Sequence, residues 1–421
     1  MTLRAFAAAS AIPAPVTAAL AALQPPVVLT WWIFFASVTA ILLGGFVGSA
    51  GAFLFLVMWL LLGLAYGRAS LRLLLAGPRL PWLLPCFALL STLWSQAPSD
   101  TLKFGMEYVA TAGCAVLAAS LLKPRTLVLA LTAALLVTAV LSVLFGRQSI
   151  DPLTGSTAFV GVFESKNQLG FFVSLMLLAG IALAIDARQA GFARLMGLAA
   201  VALSLPLLVL TRSGTSVVSA ALAAGVLILD LALSRLSRFG RARLLLAVCV
   251  VLLPVALLLV VAGDDVSGQL LSAMGKDATL TGRTVLWRHA AQLIPYHPLF
   301  GHGFQAFWRH DDVQAESLWH EFHVLSRQGF HFHSTYVETA IELGYAGVAI
   351  LVATLLGVFV GLVRWSWRTA SIPAAFFVAL MFCLLTRSFV EVDVLQQFQI
   401  GGFVLFVAAT YAARRPTGNA T

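Results

Sequence analysis

Charge is what this chain lacks most: only 10% of its 421 residues are Asp, Glu, Lys or Arg, against 60% hydrophobic, and the mean hydropathy is +0.96. A soluble domain carries about 25% charge, and no soluble core could hide this much apolar surface. Cysteine is scarce too. Cys86, Cys114, Cys249 and Cys383 each sit inside an apolar stretch without CxxC spacing, which argues against a disulfide framework or a thiolate metal site. The alternating pattern of a transmembrane barrel is missing. No HExxH stands among the eight histidines. A single Arg4 precedes an Ala-rich, proline-interrupted stretch with no apolar core and cleavage site, so no removable signal peptide is expected.

What is present is a series of uncharged apolar runs near the ~20 residues that cross a bilayer as helix. Twelve spans are expected, at 27–47, 51–66, 80–94, 101–122, 126–145, 168–185, 192–210, 214–233, 244–262, 334–363, 372–385 and 396–413. The fold class is an all-α polytopic membrane protein. An even count puts both termini on one side, and 16 of the 26 Lys and Arg fall there with only Asp186 and Asp230 as acids. The positive-inside rule makes that side cytoplasmic. The domain map is then a cytoplasmic segment 1–26, helices one to nine over 27–262, a long periplasmic loop with short helices over 263–333, helices ten to twelve over 334–413, and a cytoplasmic tail 414–421. The net charge of +9 reflects this topology, and no nucleic-acid partner is expected.

The opposite side holds 15 of the 17 acids and all eight histidines, so chemistry is expected there. Lys166, Arg212, Arg283, Arg288 and Arg387 lie at or near membrane ends. An arginine fork fits phosphate oxygens and stays charged in a partly dry site, which points to an anionic lipid headgroup; pairing with nearby acids is the alternative for Arg283 and Arg288. Five residues apart on a helix, these two point about 140° apart, so one of them faces a common centre, with Arg283 on the side of Trp287. Arg212 lies in Thr211-Arg212-Ser213-Gly214-Thr215-Ser216, almost the whole connection between two spans, and either meets a partner or anchors at the interface.

His333 opens the tenth span at the water boundary. Neutral imidazole is the ordinary protein base near pH 7, with a headgroup-contacting cap as the equal alternative. His331, two residues earlier, has no such role on this reading. Glu338 and Glu342 follow on the same helical face, as hydrogen-bonding or catalytic carboxylates, and Glu391 and Asp393 form the last polar cluster. The spacings His320-Glu321-Phe322-His323 and His331-Phe332-His333 are not standard ligand patterns, so neither metal nor cofactor is expected.

Several short motifs together resemble the superfamily of O-antigen ligases and Wzy-type polysaccharide polymerases, in particular its ExoQ-like exopolysaccharide polymerases. They are Phe163-Glu164-Ser165-Lys166-Asn167-Gln168-Leu169-Gly170, the 211–216 turn, Gly282-Arg283-Thr284-Val285-Leu286-Trp287, Pro298-Leu299-Phe300-Gly301-His302-Gly303-Phe304-Gln305-Ala306-Phe307-Trp308, His333-Ser334-Thr335-Tyr336-Val337-Glu338, Glu342-Leu343-Gly344-Tyr345-Ala346-Gly347 and Arg387 to Glu391. Each is weak alone; their order over residues 160–395 is specific. The family usually has Asn after the motif histidine, where this chain has Ser334.

The resemblance implies a GT-C-like membrane fold in the bacterial inner membrane and a metal-independent, inverting transfer from an undecaprenyl-diphosphate-linked oligosaccharide to a sugar hydroxyl at the periplasmic face. His333 is then the base and Arg212 the first diphosphate ligand, with Arg283, Arg288 and Arg387 as helpers. Lys166, Asn167, Tyr336, Glu338 and Glu391 support the site. Membrane lipid and a polysaccharide chain-length regulator are the further partners. The close rival is the ligase that moves glycan onto a lipid A core. A transporter or lipid-linked oligosaccharide flippase is the distant one, disfavoured by charge-poor span centres and the lack of a repeat between halves.

Overall fold

The computed structural model describes residues 26–150, 157–248, 279–310, 312–327 and 329–414. Most of the ninth expected span, at 244–262, and the start of the 263–333 loop lie outside them, as do 1–25 and 415–421.

Among the described residues, six helices are long and apolar enough to cross a membrane: α6 (Pro98–Leu121), α7 (Pro124–Phe145), α8 (Lys166–Ile185), α9 (Gly191–Leu210), α10 (Gly214–Arg235) and α13 (Thr335–Thr369). The other expected spans within the described residues fall on shorter helical pieces. These are α1 (Val27–Leu42) with its appended turn α2 (Gly44–Val47), α3 (Ser49–Ala65), α5 (Leu83–Leu90) between two 3-10 turns, α14 (Ile372–Arg387) and α15 (Ile400–Ala413). Helix α4 (Gly67–Ala76) was not expected; it leaves the line of α3 at 106°. Prolines at the first helical turn start α6, α7 and α14, where a missing N–H costs nothing. The bundle is centred on α8, of which 78% is buried, whereas only 33% of α9 is. A short antiparallel hairpin, β1 (Arg147–Ile150) and β2 (Thr157–Gly161), joins α7 to α8.

Between α10 and α13 lie α11 (Thr279–Leu293) and α12 (Val313–Glu321). They build a small second core in which Leu286, Phe307, Leu318, Trp319 and Phe332 meet Ile341 of α13. The junction depends on a break in α13. Gly344 is left-handed (φ 64°), so the helix interrupts its own hydrogen-bond ladder. The freed carbonyls of Ile341 and Glu342 accept from the N–H groups of His302 and Gly303 at 3.0 and 2.8 Å. Tyr345 and Ala346 N–H donate to Pro298 and Leu299 carbonyls at 2.8 and 3.1 Å. The 298–303 segment thus runs into the gap as a substitute ladder, which is what a membrane helix requires wherever its own is interrupted.

A side chain at Gly344 would combine left-handed backbone with collision against the Leu299 carbonyl. Gly344→Ala is therefore expected to destabilise by about 2–4 kcal/mol. Gly357→Ala on the same helix meets nothing nearer than Leu80 at 3.6 Å and should be neutral or slightly stabilising. Thermal unfolding of the two variants in detergent checks the contrast.

Candidate functional site

Three helices begin at one place, each with a serine cap. Ser165 Oγ accepts from Gln168 N at α8, Ser213 Oγ from Ser216 N at α10, and Ser334 Oγ from Val337 N at α13. Ser334 stands where the resembling family has Asn, and serine fills the N-cap position as Asn would. Asn167 links two of these starts: its Oδ1 accepts from Ser213 Oγ at 2.9 Å, and its Nδ2 donates to Glu391 Oε1 at 2.8 Å. The third is tied in by Thr335, whose Oγ1 donates to the Glu391 carbonyl at 2.7 Å. Helix N-termini carry partial positive charge, so three meeting here favour an anion.

Glu391 is the hub. Its Oε1 also receives Arg283 Nη2 at 2.6 Å, and its Oε2 lies 3.8 Å from His333 Nδ1, close for charges but too long for a hydrogen bond. Burial alone would raise this carboxyl; His333, Arg387 and Arg283 outweigh it and hold the group down at about 2, ionised throughout the working range.

His333 itself has left-handed backbone (φ 50°), uncommon for a residue with a side chain. It is held there from both sides. Phe332, on the N-terminal side, donates its N–H to Glu338 Oε2 at 2.7 Å and accepts Trp287 Nε1 at its carbonyl at 2.7 Å. Trp308 Nε1 occupies the other Glu338 oxygen at 2.9 Å. On the C-terminal side stands the Ser334 cap. Tyr336 supports the same corner, its hydroxyl accepting from Ser388 Oγ at 3.1 Å.

The expected arginines separate into two groups. Arg387 has no exposed side chain: Nε and Nη2 donate to Asp393 at 2.7 and 3.2 Å, Nη1 to Ser216 Oγ at 3.1 Å, and Nη2 also to the Asn167 carbonyl at 3.3 Å. Expected as a diphosphate helper, it spends four of its five N–H donors on the protein and braces α8, α10 and the 388–399 segment. Arg283 is buried, and among the described residues it spends only Nη2, on Glu391. Arg288, on the same helix, is exposed and not drawn to the cluster. Arg212 is exposed, with left-handed backbone (φ 49°), next to Ser213; neither it nor Lys166 has an acidic partner among the described residues.

Sequence reasoning set His331 aside. Its ring lies 4.3 Å from that of His333, and its Nδ1 accepts the His333 N–H at 3.1 Å. Burial and the neighbouring His333 push it down to about 3, so it stays neutral and able to accept. The x-Phe-x spacing of the two histidines was the available signal. His331, His333 and Glu391 offer donor atoms all within 4.8 Å of one another, a set able to seat a divalent cation. Arg147, also passed over, reaches the Phe163 carbonyl at 3.4 Å from the hairpin.

Membrane-length helices that close over a buried cluster of arginine, carboxylate and histidine define a multi-pass membrane protein with a polar site at one end of its bundle. A family model described as O-antigen ligase matches residues 199–352, a stretch that includes Arg212, Arg283 and His333. The chain is 36% identical over 329 residues, 77% of its own length and 74% of the relative's, to the exopolysaccharide production protein ExoQ of Rhizobium meliloti (strain 1021). It belongs to the O-antigen ligase family.

The division between arginines gives an expected outcome. Arg387→Met strands the Asp393 carboxylate and should cost about 3–5 kcal/mol. Arg212→Lys should leave unfolding unchanged. Thermal unfolding of purified variants measures both.

Proposed function

We propose that this protein is a polysaccharide polymerase of the Wzy type, which transfers a glycan from a polyprenyl diphosphate to a sugar hydroxyl at the outer face of the inner membrane, with both termini cytoplasmic. The observation that carries it is the His333 ring, fixed in a strained backbone with a buried, ionised carboxylate at 3.8 Å from its Nδ1.

The reaction breaks the bond between the anomeric carbon and the diphosphate oxygen while the acceptor hydroxyl oxygen attacks. The hydroxyl proton goes to His333, and the imidazolium that forms has the Glu391 charge beside it. The leaving diphosphate needs no proton if its charge is held. Lys166, Arg212 and the remaining donors of Arg283 supply that charge, together with the capped N-termini of α8 and α10. Direct displacement inverts the anomeric configuration. The exopolysaccharide name of the relative favours polymerase over ligase, and the charge asymmetry of the loops supports the orientation.

The transfer is proposed to need no metal, because Lys166, Arg212 and Arg283 can neutralise the leaving diphosphate in its place. Polymer formation by purified protein should persist in EDTA; a loss restored by zinc, magnesium or manganese would make the two histidines and Glu391 ligands.

His333→Ala is expected to lose turnover by about 10² to 10⁴-fold while keeping its fold and its affinity for the lipid-linked donor. Arg212→Lys should do the reverse, weakening donor binding first, because a point charge replaces a two-pronged donor. Polymer length and donor binding at matched expression separate the two. Wild-type polymer from the His333 variant would refute the base.

A further inference from the structure

Beside His333 opens a cleft of about 610 Å³, within the range of small-molecule sites. Four polar side chains of its lining take no part in the chemistry above. They are the amides of Gln168, at the start of α8, and of Gln396 and Gln399, before α15, with the carboxylate of Glu164. Gln168 gives its Oε1 to the Glu164 N–H at 3.2 Å, which leaves its NH₂ group. The side chains of Gln396 and Gln399 bond to no other described residue, and Glu164 has no ion pair among them. These groups line the cleft, and among the described residues Gln396, Gln399 and the Gln168 NH₂ group are left without a partner.

Charge narrows what fills it. Among the described residues, no lysine or arginine lines the cleft. Its three carboxylates are Glu164, Glu391 and Asp393, of which the last two are neutralised by Arg283 and Arg387. An anion entering here meets the uncompensated Glu164, so the diphosphate belongs on the side of Lys166 and Arg212. An amide presents donor and acceptor together, which is what a sugar's adjacent hydroxyls require.

We propose that this cleft is the acceptor subsite, that Gln168, Gln396 and Gln399 grip an uncharged saccharide whose hydroxyl is presented to His333, and that Glu164 excludes acidic sugars. This rests on the transferase reading and adds to it the class of acceptor and the residues that select it.

The test uses purified full-length protein in nanodiscs. Its probes are neutral malto-, cello- and galacto-oligosaccharides, the same sugars oxidised to uronic acids, and a synthetic polyprenyl-diphosphate saccharide donor. Saturation-transfer NMR reads saccharide binding, and steady-state transfer reads acceptor KM. Gln396→Ala and Gln399→Ala should each raise the neutral-acceptor constant on the order of tenfold with donor binding unchanged. Glu164→Gln should admit the uronic acid forms. Donor affinity at the wild-type value shows that each variant is folded. No binding of any neutral probe, or unchanged acceptor constants in both glutamine variants while transfer runs, overturns the subsite and leaves the transferase standing. Glutamine-dependent saccharide binding without any transfer would overturn the transferase and keep the saccharide site.

Discussion

Glu391 lies buried where four segments meet, and a carboxylate so placed persists only if its oxygens are answered by donors or cations. Asn167 reaches it from α8, Arg283 from α11 and His333 from the entrance to α13, while its own carbonyl receives Thr335. Removing Arg283 leaves that charge uncompensated and removing Asn167 leaves Oε1 short of a donor, so the segments are held to one arrangement. Two residues further on, Asp393 does the same for Arg387, which in turn holds Ser216 and the Asn167 carbonyl. The two carboxylates act as paired clasps, both in the lining of the cleft.

This arrangement explains how a chain with so few charges builds a polar site. The membrane bundle is apolar at its centre, and polar groups gather where the helices begin. Serine caps satisfy the first N–H groups of α8, α10 and α13. The cost of holding His333 in left-handed backbone is met nearby by the Glu338, Trp287 and Trp308 hydrogen bonds. The break at Gly344 then fastens the outer segment to the same helix, so the cap that carries Arg283 and the span that carries His333 behave as one unit. Strain at the candidate base is thereby supported by the fold rather than by the residue itself.

A separation of charge runs through the site. Among the described residues, Lys166 and Arg212, which lack acidic partners, do not line the cleft, whereas the three amides and Glu164 line it together with the His331–His333 pair. The transfer proposed above, in which the diphosphate leaves the anomeric carbon as an anion and an acceptor hydroxyl takes its place, calls for both environments.

By itself the sequence determined the membrane class, the long helices and the places where chemistry collects, because hydropathy, proline and serine caps are local properties that each segment carries alone. It also said that only one of Arg283 and Arg288 would face a common centre, since five residues on a helix set an angle. Only the tertiary structure decided that Arg387 is consumed by Asp393, that Arg283 meets Glu391 across 108 residues, that His331 bears on His333, and that three glutamines share a cleft. The reason is physical. A helix such as α8, apolar on every side and buried on most of them, offers no polar face from which its neighbours could be read. Which side chains meet at its end is fixed by how the whole bundle packs, and that information is spread over the chain rather than held in any motif.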